Sequence, residues 1–344
     1  MTQKVFFLGA GFSKAVNGEY PLMSELTTDA LIRVQKSSAQ KHLEELAPQI
    51  KQNIESLLTY LSTDLPWKTD TTKYANKSLY CAIVQALSEI FTEYAKQAKP
   101  TEDRNSVWWK FADKVRLNAK KYNFITLNYD ILLEVLLKGV YPVDINTPTV
   151  TYADFYSYPM TAIANRIPKP AFVLGSNRSK PDVPKILKLH GSANWFWAGV
   201  SASDILYYKQ DYNKYSSSEP ETLTYDLKPY IIPPVLDKSS FYNHIAIHSL
   251  WKQAEELLQN ADEIYIIGFS FPQTDLAVKY LFQSALRKRN PKIYVVNSAP
   301  RSALTANYQA VFGDMDLNYV CTGHSNVVTE FITQKILDEV EPYA

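Results

Sequence analysis

Residues 4–13 read KVFFLGAGFS, and this stretch decides the fold. The apolar run Val5–Leu8 ends in glycines, which is typical of a buried parallel strand that enters a tight turn. Glycines there let the backbone approach a pyrophosphate, and the helix that follows offers free N–H groups. A glycine turn after a strand is equally common without a ligand, and no P-loop lysine follows. The stretch predicts an α/β fold and leaves phosphate binding open at Gly9, Ala10, Gly11, Phe12 and Ser13.

The rest of the chain fits the same fold class. Apolar runs that predict further strands recur at Phe124–Leu127, Ile186–Leu189, Ile264–Ile267 and Ile293–Val296. Apolar residues at helical spacing fill much of the sequence between the first two strands. We expect a Rossmann-like parallel sheet flanked by helices, in a single domain over residues 1–344. A helical insertion is expected at about 25–120 and an irregular, loop-rich segment at about 141–235.

Composition narrows the function classes. The formal net charge of +1 gives no global electrostatic case for nucleic acid or an anionic membrane as a partner. No segment reaches the roughly 18 uncharged apolar residues of a membrane span, so we expect a cytoplasmic protein.

Cys81 and Cys321 cannot supply the four thiolates of a zinc ribbon. His244 and His248 lack the intervening glutamate of a zinc-protease helix, so no metal is expected. The basic cluster at 287–292 is interpreted as a solvated helix end, with a nucleic-acid or partner contact left open.

Polar residues follow two of the predicted strands. Asn128 and Asp130 lie in TLNYD, and His190 lies in KLHGS. Ligands in open α/β sheets sit beyond the carboxyl ends of the strands, where these side chains are expected. Asn128 has an ordinary alternative as the N-cap of a helix over residues 131–137. A lone histidine is usually structural, but the Gly-Ser that follows His190 favours a position facing a cleft.

Two later stretches are weaker candidates. GFSFPQTD, from Gly268 to Asp275, follows a strand and could contact a second phosphate or a ribose. Its alternative is an ordinary strand-to-helix loop capped by Asp275, which would start a helix running to about Arg289. Asn297 ends another strand and could bind a ribose hydroxyl, or could simply form a turn.

In their order and spacing, GAGFS, TLNYD, KLHGS, IIGFSFPQTD and VVN resemble the sirtuin-like domain of bacterial NAD-consuming proteins, over roughly residues 4–300. NIESLL, with Ile54 and Glu55, and the stretch IIPPVLDKSSFYNHIAIHSLW are also similar to segments of that family. The resemblance implies that Asn128 and His190 are the catalytic pair and that Asp130 lies near the nicotinamide carboxamide or its ribose. It also implies a diphosphate held by Gly9, Gly11 and Ser13, a phosphate contact from Ser270 and an adenosine ribose contact from Asn297.

The chain departs from the deacetylating sirtuins. Leu127 stands where those enzymes have a glutamine, and the four-cysteine zinc module and the arginine-bearing segment are missing. The resemblance therefore implies hydrolysis of NAD+ to nicotinamide and ADP-ribose. Many members of the family deplete NAD in antiphage defence.

The cleavage chemistry suits these residues. Nicotinamide leaves as a neutral molecule, so it needs no proton from the protein, unlike most glycoside leaving groups. Asn128 could hold a ribose hydroxyl or a water, and His190 could accept the proton of that water.

Three alternatives stay open at this point. One is an NAD or ADP-ribose sensor without turnover. A dehydrogenase is disfavoured because Lys14 occupies the place of the third glycine in GxGxxG. The third is a subunit active only as a homo-oligomer or with a second defence protein, such as an ATPase or a sensor.

Overall fold

The five predicted strands all lie in one parallel sheet in the computed structural model. The structure describes residues 2–142, 149–162, 181–198, 206–209, 227–236, 238–272, 275–321 and 323–338. The strands are β1 (Lys4–Leu8), β2 (Tyr122–Thr126), β3 (Met160–Ala162), β4 (Lys185–Lys188), β5 (Gly191–Ala198), β6 (Leu206–Tyr208), β7 (Leu227–Ile231), β8 (Glu263–Ile267), β9 (Lys292–Asn297) and β10 (Leu317–Cys321). Six of them form the main sheet, in the order β10-β9-β8-β1-β2-β4, and every neighbouring pair is parallel.

Helices connect and cover these strands. They are α1 (Ala10–Val16), α2 (Met23–Val34), α3 (Gln40–Glu45), α4 (Ile54–Ser62), α5 (Asp70–Gln97), α6 (Val107–Leu117), α7 (Leu132–Lys138), α8 (Tyr152–Phe155), α9 (Ser239–Tyr242), α10 (Ile245–Asn260), α11 (Leu276–Ala285), α12 (Arg301–Phe312) and α13 (Val327–Phe331). A 3-10 helix covers Pro48–Lys51 and a π-helical segment covers Ile332–Leu337. Among the described residues, no helix is long and apolar enough to cross a bilayer. The predicted fold class, a Rossmann-like sheet with helices inserted after the first strand, is confirmed.

Strand β1 explains why the opening stretch reads as a continuous apolar run. Val5 and Phe7 pack on one side of the sheet with Ala254 of α10 and Phe282 of α11. Phe6 and Leu8 pack on the other side, against α6 and α13. All five residues of β1 are buried, as expected for a central strand covered by helices on both faces.

The helical insertion builds a core of its own. Buried residues of α2, α4 and α5 pack together in a separate apolar cluster. The apolar spacing over residues 43–61 suggests one continuous helical pattern, but Pro48 begins a short 3-10 segment there. Proline lacks the N–H that a helix interior requires, so the pattern is divided between α3 and α4.

The middle of the chain contains more regular structure than the sequence predicts. A second sheet has the order β3-β6-β5-β7, with β5 antiparallel to both of its neighbours. Two of its strands have only three residues, too few to show a period of two in the sequence. The loops around these strands lie largely outside the described residues.

Candidate functional site

The sheet order brings the predicted stretches together at one edge. Strands β9, β8, β1, β2 and β4 are consecutive neighbours, and the predicted residues lie at or just after their carboxyl ends. Chain order reverses at β1, because the next strands in sequence lie on one side of it and the last three on the other. A crevice at such a reversal is where open α/β sheets bind ligands.

Three glycines meet at this reversal. Gly9 and Gly11 follow β1, and Gly268 follows β8 with a left-handed φ of +66°. A Cβ on Gly9 would lie 2.5 Å from the carbonyl oxygen of Gly268, and a Cβ on Gly268 would lie 2.4 Å from the nitrogen of Phe12. The glycines are therefore required for close packing of two backbone segments.

The N–H groups of these glycines are already used. Gly9 donates to the carbonyl of Ile267 at 2.9 Å, and Gly11 donates to the carbonyl of Gly268 at 3.1 Å. Any diphosphate contact here would rely on the space that the glycines leave and not on the N–H groups of Gly9 and Gly11. Their binding role stays a prediction.

Asn128 is held by its amide nitrogen. Nδ2 donates to the carbonyl oxygen of Gly9 and to Oγ of Ser13, both at 3.0 Å. A carbonyl oxygen only accepts, so the side-chain amide must present its nitrogen to Gly9. Both amide hydrogens are thereby committed, and Oδ1 of this half-buried residue is the atom that remains to accept from a ligand.

The same network contains Ser13 and Asp130, both buried. Ser13 Oγ donates to Oδ2 of Asp130 at 2.8 Å, while Oδ1 of Asp130 accepts from the N–H of Leu132 at 3.0 Å. Helix α7 begins at Leu132, so the N-cap interpretation of Asn128 is wrong. Asp130 satisfies that helix end instead, because its carboxylate reaches the free N–H two residues later.

His190 lies two residues beyond the end of β4 and is only 5% exposed. Its ring lies between Tyr129 and Trp251, with centroid distances of 6.5 and 6.3 Å. Nε2 is buried and has no hydrogen-bond partner among the described residues. Burial lowers the pKa of His190 from 6.5 to about 4, with Asp275 acting in the opposite direction and Lys238 reinforcing the decrease. The imidazole is therefore neutral near pH 7 and can accept a proton.

Three charged side chains form a cluster near this histidine. Lys238 Nζ lies 2.8 Å from Oδ1 of Asp275 and 3.9 Å from Oε1 of Glu55. Asp275 occupies the N-cap position of α11 but makes no side-chain cap hydrogen bond, so the predicted capping role is wrong; α11 also ends at Ala285. The carboxylate pairs with buried Lys238 instead. Glu55 lies in a segment that carries the family resemblance, whereas Lys238 had no sequence signal beyond its own stretch.

A second ion pair, absent from the sequence interpretation, lies beneath the site. Lys188 and Glu134 are each 1% exposed, and Nζ of Lys188 lies 3.1 Å from Oε1 of Glu134. Lys188 also donates to the carbonyl oxygen of Asp130. Tyr156 donates to Glu134 Oε1 at 3.0 Å, and Asn194 bonds to Tyr156 at 3.1 Å. The available signal was a single charge within each of two apolar runs, ILKL and ILLEVLL.

The two weaker stretches have clear backbone roles. Asn297 accepts from the N–H of Ala299 at 2.9 Å, which is the predicted turn, and donates to the carbonyl of Phe269 at 3.2 Å. Ser270 is exposed, and its carbonyl accepts from Asn307. Gln273 and Thr274 of the same stretch lie outside the described residues. The phosphate contact of Ser270 and the ribose contact of Asn297 stay predictions.

His244 and His248 lie at the start of α10. His244 is the N-cap, and its Nδ1 accepts from the N–H of Ala246 at 3.3 Å. Its ring packs on Tyr230 with a centroid distance of 4.8 Å. Across the residues that the structure describes, no group of three histidine, cysteine or acidic residues could hold a metal ion.

Comparisons with known proteins point to one family. The SIR2-like domain model matches residues 122–319, and no curated protein matches the sequence. A Sir2 homologue solved with ADP-ribose has 13% identity and a TM-score of 0.44, covering 98% of this chain and 95% of that one. A Sir2 homologue solved with NAD has 12% identity and a TM-score of 0.45, with coverages of 98% and 91%. A Sir2 bound to acetylated peptide has 14% identity and a TM-score of 0.44, with coverages of 96% and 91%. Because the family model spans more than half of the sequence, this chain belongs to the SIR2-like domain family.

Proposed function

We propose that this chain is an NAD+ hydrolase that cleaves the bond between nicotinamide and ribose. One observation carries the proposal: Asn128 and His190 follow neighbouring strands β2 and β4, and each keeps one uncommitted polar atom. Asn128 keeps Oδ1 as an acceptor, and His190 keeps a buried Nε2. A site that must orient a water or a ribose hydroxyl and remove its proton needs one atom of each kind.

In the proposed reaction the substrate supplies the leaving group, and the protein supplies a base and a hydrogen-bond acceptor. The C1′–N bond breaks, and nicotinamide leaves with the bonding electrons as a neutral molecule. A water oxygen then bonds to C1′, and the proton of that water passes to Nε2 of His190, in the tautomer that carries its ring hydrogen on Nδ1. Oδ1 of Asn128 accepts a hydrogen bond from the water or from a ribose hydroxyl, which fixes the direction of attack.

His190 is a weak base in this arrangement. A pKa of about 4 keeps it neutral near pH 7, but protonation leaves a buried cation. The carboxylate of Asp275 favours that cation, and Lys238 opposes it. Such a base suits a reaction in which the positively charged ribose already makes the water acidic. General base catalysis of this kind contributes typically about 10²–10⁴ in rate.

The alternative function is a sensor that binds NAD or ADP-ribose without turnover. The anchored network of Ser13, Asn128 and Asp130 would serve a sensor equally well. The unpartnered Nε2 of His190 favours the enzyme, because a buried polar atom without a partner costs stability and binding alone gives no reason for a base there.

The first experiment measures nicotinamide release from NAD+ by the purified chain. We expect release by the wild type and loss of release in His190→Asn, which is close in shape but is not a base. His248→Asn is the matched control, because His248 is an exposed residue of α10. Binding of ADP-ribose without any nicotinamide release, by the chain alone and together with the proteins encoded beside its gene, would favour the sensor and refute the hydrolase.

The biological setting is part of the same proposal. We propose a single-domain, cytoplasmic protein that depletes NAD in antiphage defence, either as a homo-oligomer or with a second defence protein such as an ATPase or a sensor subunit. Neither nucleic acid nor membrane is expected as a partner. Repeating the release assay with proteins encoded beside its gene tests the partner, and light scattering tests the oligomer.

A further inference from the structure

We propose that the buried pair Lys188–Glu134 positions the candidate catalytic residues relative to one another, an inference that rests on the proposed function. Lys188 is the last residue of β4, two positions before His190. Glu134 lies in the first turn of α7, six positions after Asn128. The pair therefore joins the two chain segments that carry the site.

A continuous path of hydrogen bonds leads from this pair to Asn128. Lys188 donates to the backbone carbonyl of Asp130. The Asp130 carboxylate accepts from Ser13 at 2.8 Å, and Ser13 accepts from the amide of Asn128 at 3.0 Å. A displacement of the Lys188 ammonium would therefore move the backbone on which both Asp130 and Asn128 depend.

A second path leads into the sheet beside His190. Glu134 accepts from Tyr156, which bonds to Asn194 of β5. The backbone N–H of Ala193 donates to the carbonyl of Tyr129 at 2.8 Å, directly between Asn128 and Asp130. The loop after β2 is thus held both by β4 and by β5, the two strands that precede and follow His190.

Stability alone is a poor explanation for this pair. Two charges with 1% exposure lose nearly all of their hydration, and an apolar pair of similar volume often serves the fold as well or better. One carboxylate oxygen of Glu134, Oε2, is buried with no hydrogen-bond partner among the described residues. An ion pair that is imperfectly satisfied and yet directed at the backbone of the site suits a positioning role.

The test replaces both charges together, with Lys188→Met and Glu134→Met in one variant. Removing both leaves no uncompensated charge, so the double variant is expected to fold. The matched control is Lys4→Met with Glu263→Met. This buried pair joins two strands of the main sheet, with its ammonium and carboxylate 3.6 Å apart and side chains 3% and 10% exposed. Lys4 and Glu263 are the first residues of β1 and β8, so they lie at the amino ends of the strands, whereas the site lies at the carboxyl ends.

We measure melting temperature, ADP-ribose affinity, and kcat and KM for nicotinamide release. The site double variant should fold and bind with little change in KM, while kcat falls about 10²-fold, the typical cost of misplacing a catalytic group by about 1 Å. The control double variant should keep its kcat. A folded site variant with wild-type kcat would overturn the positioning role, as would an equal loss of kcat in the control.

Lys188→Arg keeps the inference testable if the site double variant does not fold. Arginine keeps the charge opposite Glu134, but its wider, planar head cannot meet the Asp130 carbonyl from the same point. We expect a folded protein with reduced kcat and little change in KM, and unchanged kcat would overturn the inference. Failure of the proposed function would look different, because the wild type itself would then release no nicotinamide.

Discussion

Replacing Asn128 by aspartate tests the description of the site most directly, because the change removes an amide that the structure anchors at two points. Asparagine and aspartate have nearly the same shape, so packing is preserved. If Asn128 only capped a helix, the change would be almost neutral, since both residues cap equally well. Its actual partners, the Gly9 carbonyl and the Ser13 hydroxyl, predict a large effect.

The magnitude has two parts. Losing two neutral hydrogen bonds costs about 1–3 kcal/mol of unfolding free energy. Ser13 Oγ forms hydrogen bonds with the side chains of both Asn128 and Asp130. In the variant, only this hydroxyl would therefore separate the new carboxylate at position 128 from the carboxylate of Asp130. Two unit charges about 6 Å apart repel by about 3 kcal/mol at an effective dielectric constant of about 20. The expected loss at neutral pH is therefore about 4–6 kcal/mol.

The repulsion should also depend on pH. The two carboxylates of Asn128→Asp can share a proton, which raises the pKa of the pair in the folded chain above its value in the unfolded chain. The folded variant then binds more protons than the unfolded one, so its stability falls as pH rises through that range and recovers in acid.

Asn128→Ala separates the two parts, because it loses the same hydrogen bonds without adding a charge. Urea unfolding of both variants between pH 4 and pH 8 gives the comparison, with nicotinamide release measured alongside. We expect both variants to lose release and only the aspartate variant to gain the extra pH-dependent loss. Equal stability of the two variants at every pH would refute the anchored-amide geometry.

The other predictions use different parts of the site. Burial lowers the pKa of His190 from 6.5 to about 4, so between these pH values the unfolded chain binds a proton that the folded chain does not. The free energy of unfolding should therefore fall as pH drops through that interval. His190→Asn should make the free energy of unfolding, measured by urea titration, depend less on pH in that range. Gly268→Ala should cost several kcal/mol, because its Cβ would lie 2.4 Å from a backbone nitrogen. Gly313 also has a positive φ but lies in open space, so Gly313→Ala should cost only its backbone strain, about 1–3 kcal/mol. EDTA should leave nicotinamide release unchanged, and restoration of lost activity by a divalent ion would contradict this. An acetyl-lysine peptide should not accelerate release, and an acetylated ADP-ribose product would contradict that prediction.

Much of the main sheet could be predicted because its central strands are buried on both faces and read as unbroken apolar runs. Strand β10 has no such signal: Leu317–Cys321 lies at the edge of the sheet, is only partly buried and contains a polar Asn318. The second sheet escaped detection because its shortest strands are too brief for any alternation to show. Local sequence carries no information about pairing between such short, distant segments.

In the site, too, local features could be predicted from the sequence, whereas contacts between distant residues could not. Strand ends and glycine turns are local features, so the positions of Gly9, Asn128 and His190 at one edge could be anticipated. Which atoms of those residues are committed could not, because the answer depends on partners far away in sequence. The pairing of Lys238 with Asp275 is the clearest case, since aspartate before a helix normally caps it, and only the fold brings the competing ammonium within reach.

The dispersal of the site along the chain has a consequence for biosynthesis. Residues 9, 128, 190, 268 and 297 meet only after β1, β2, β4, β8 and β9 have all taken their places in the sheet. Parallel pairings across such long separations form slowly, because the entropy of closing the loops is lost before the contacts repay it. A nascent chain still on the ribosome, lacking β8 and β9, would have neither Gly268 nor Asn297 in place. For an enzyme of the proposed kind, which would consume a metabolite that its own cell needs, this arrangement withholds activity until the chain has been translated and folded through β9.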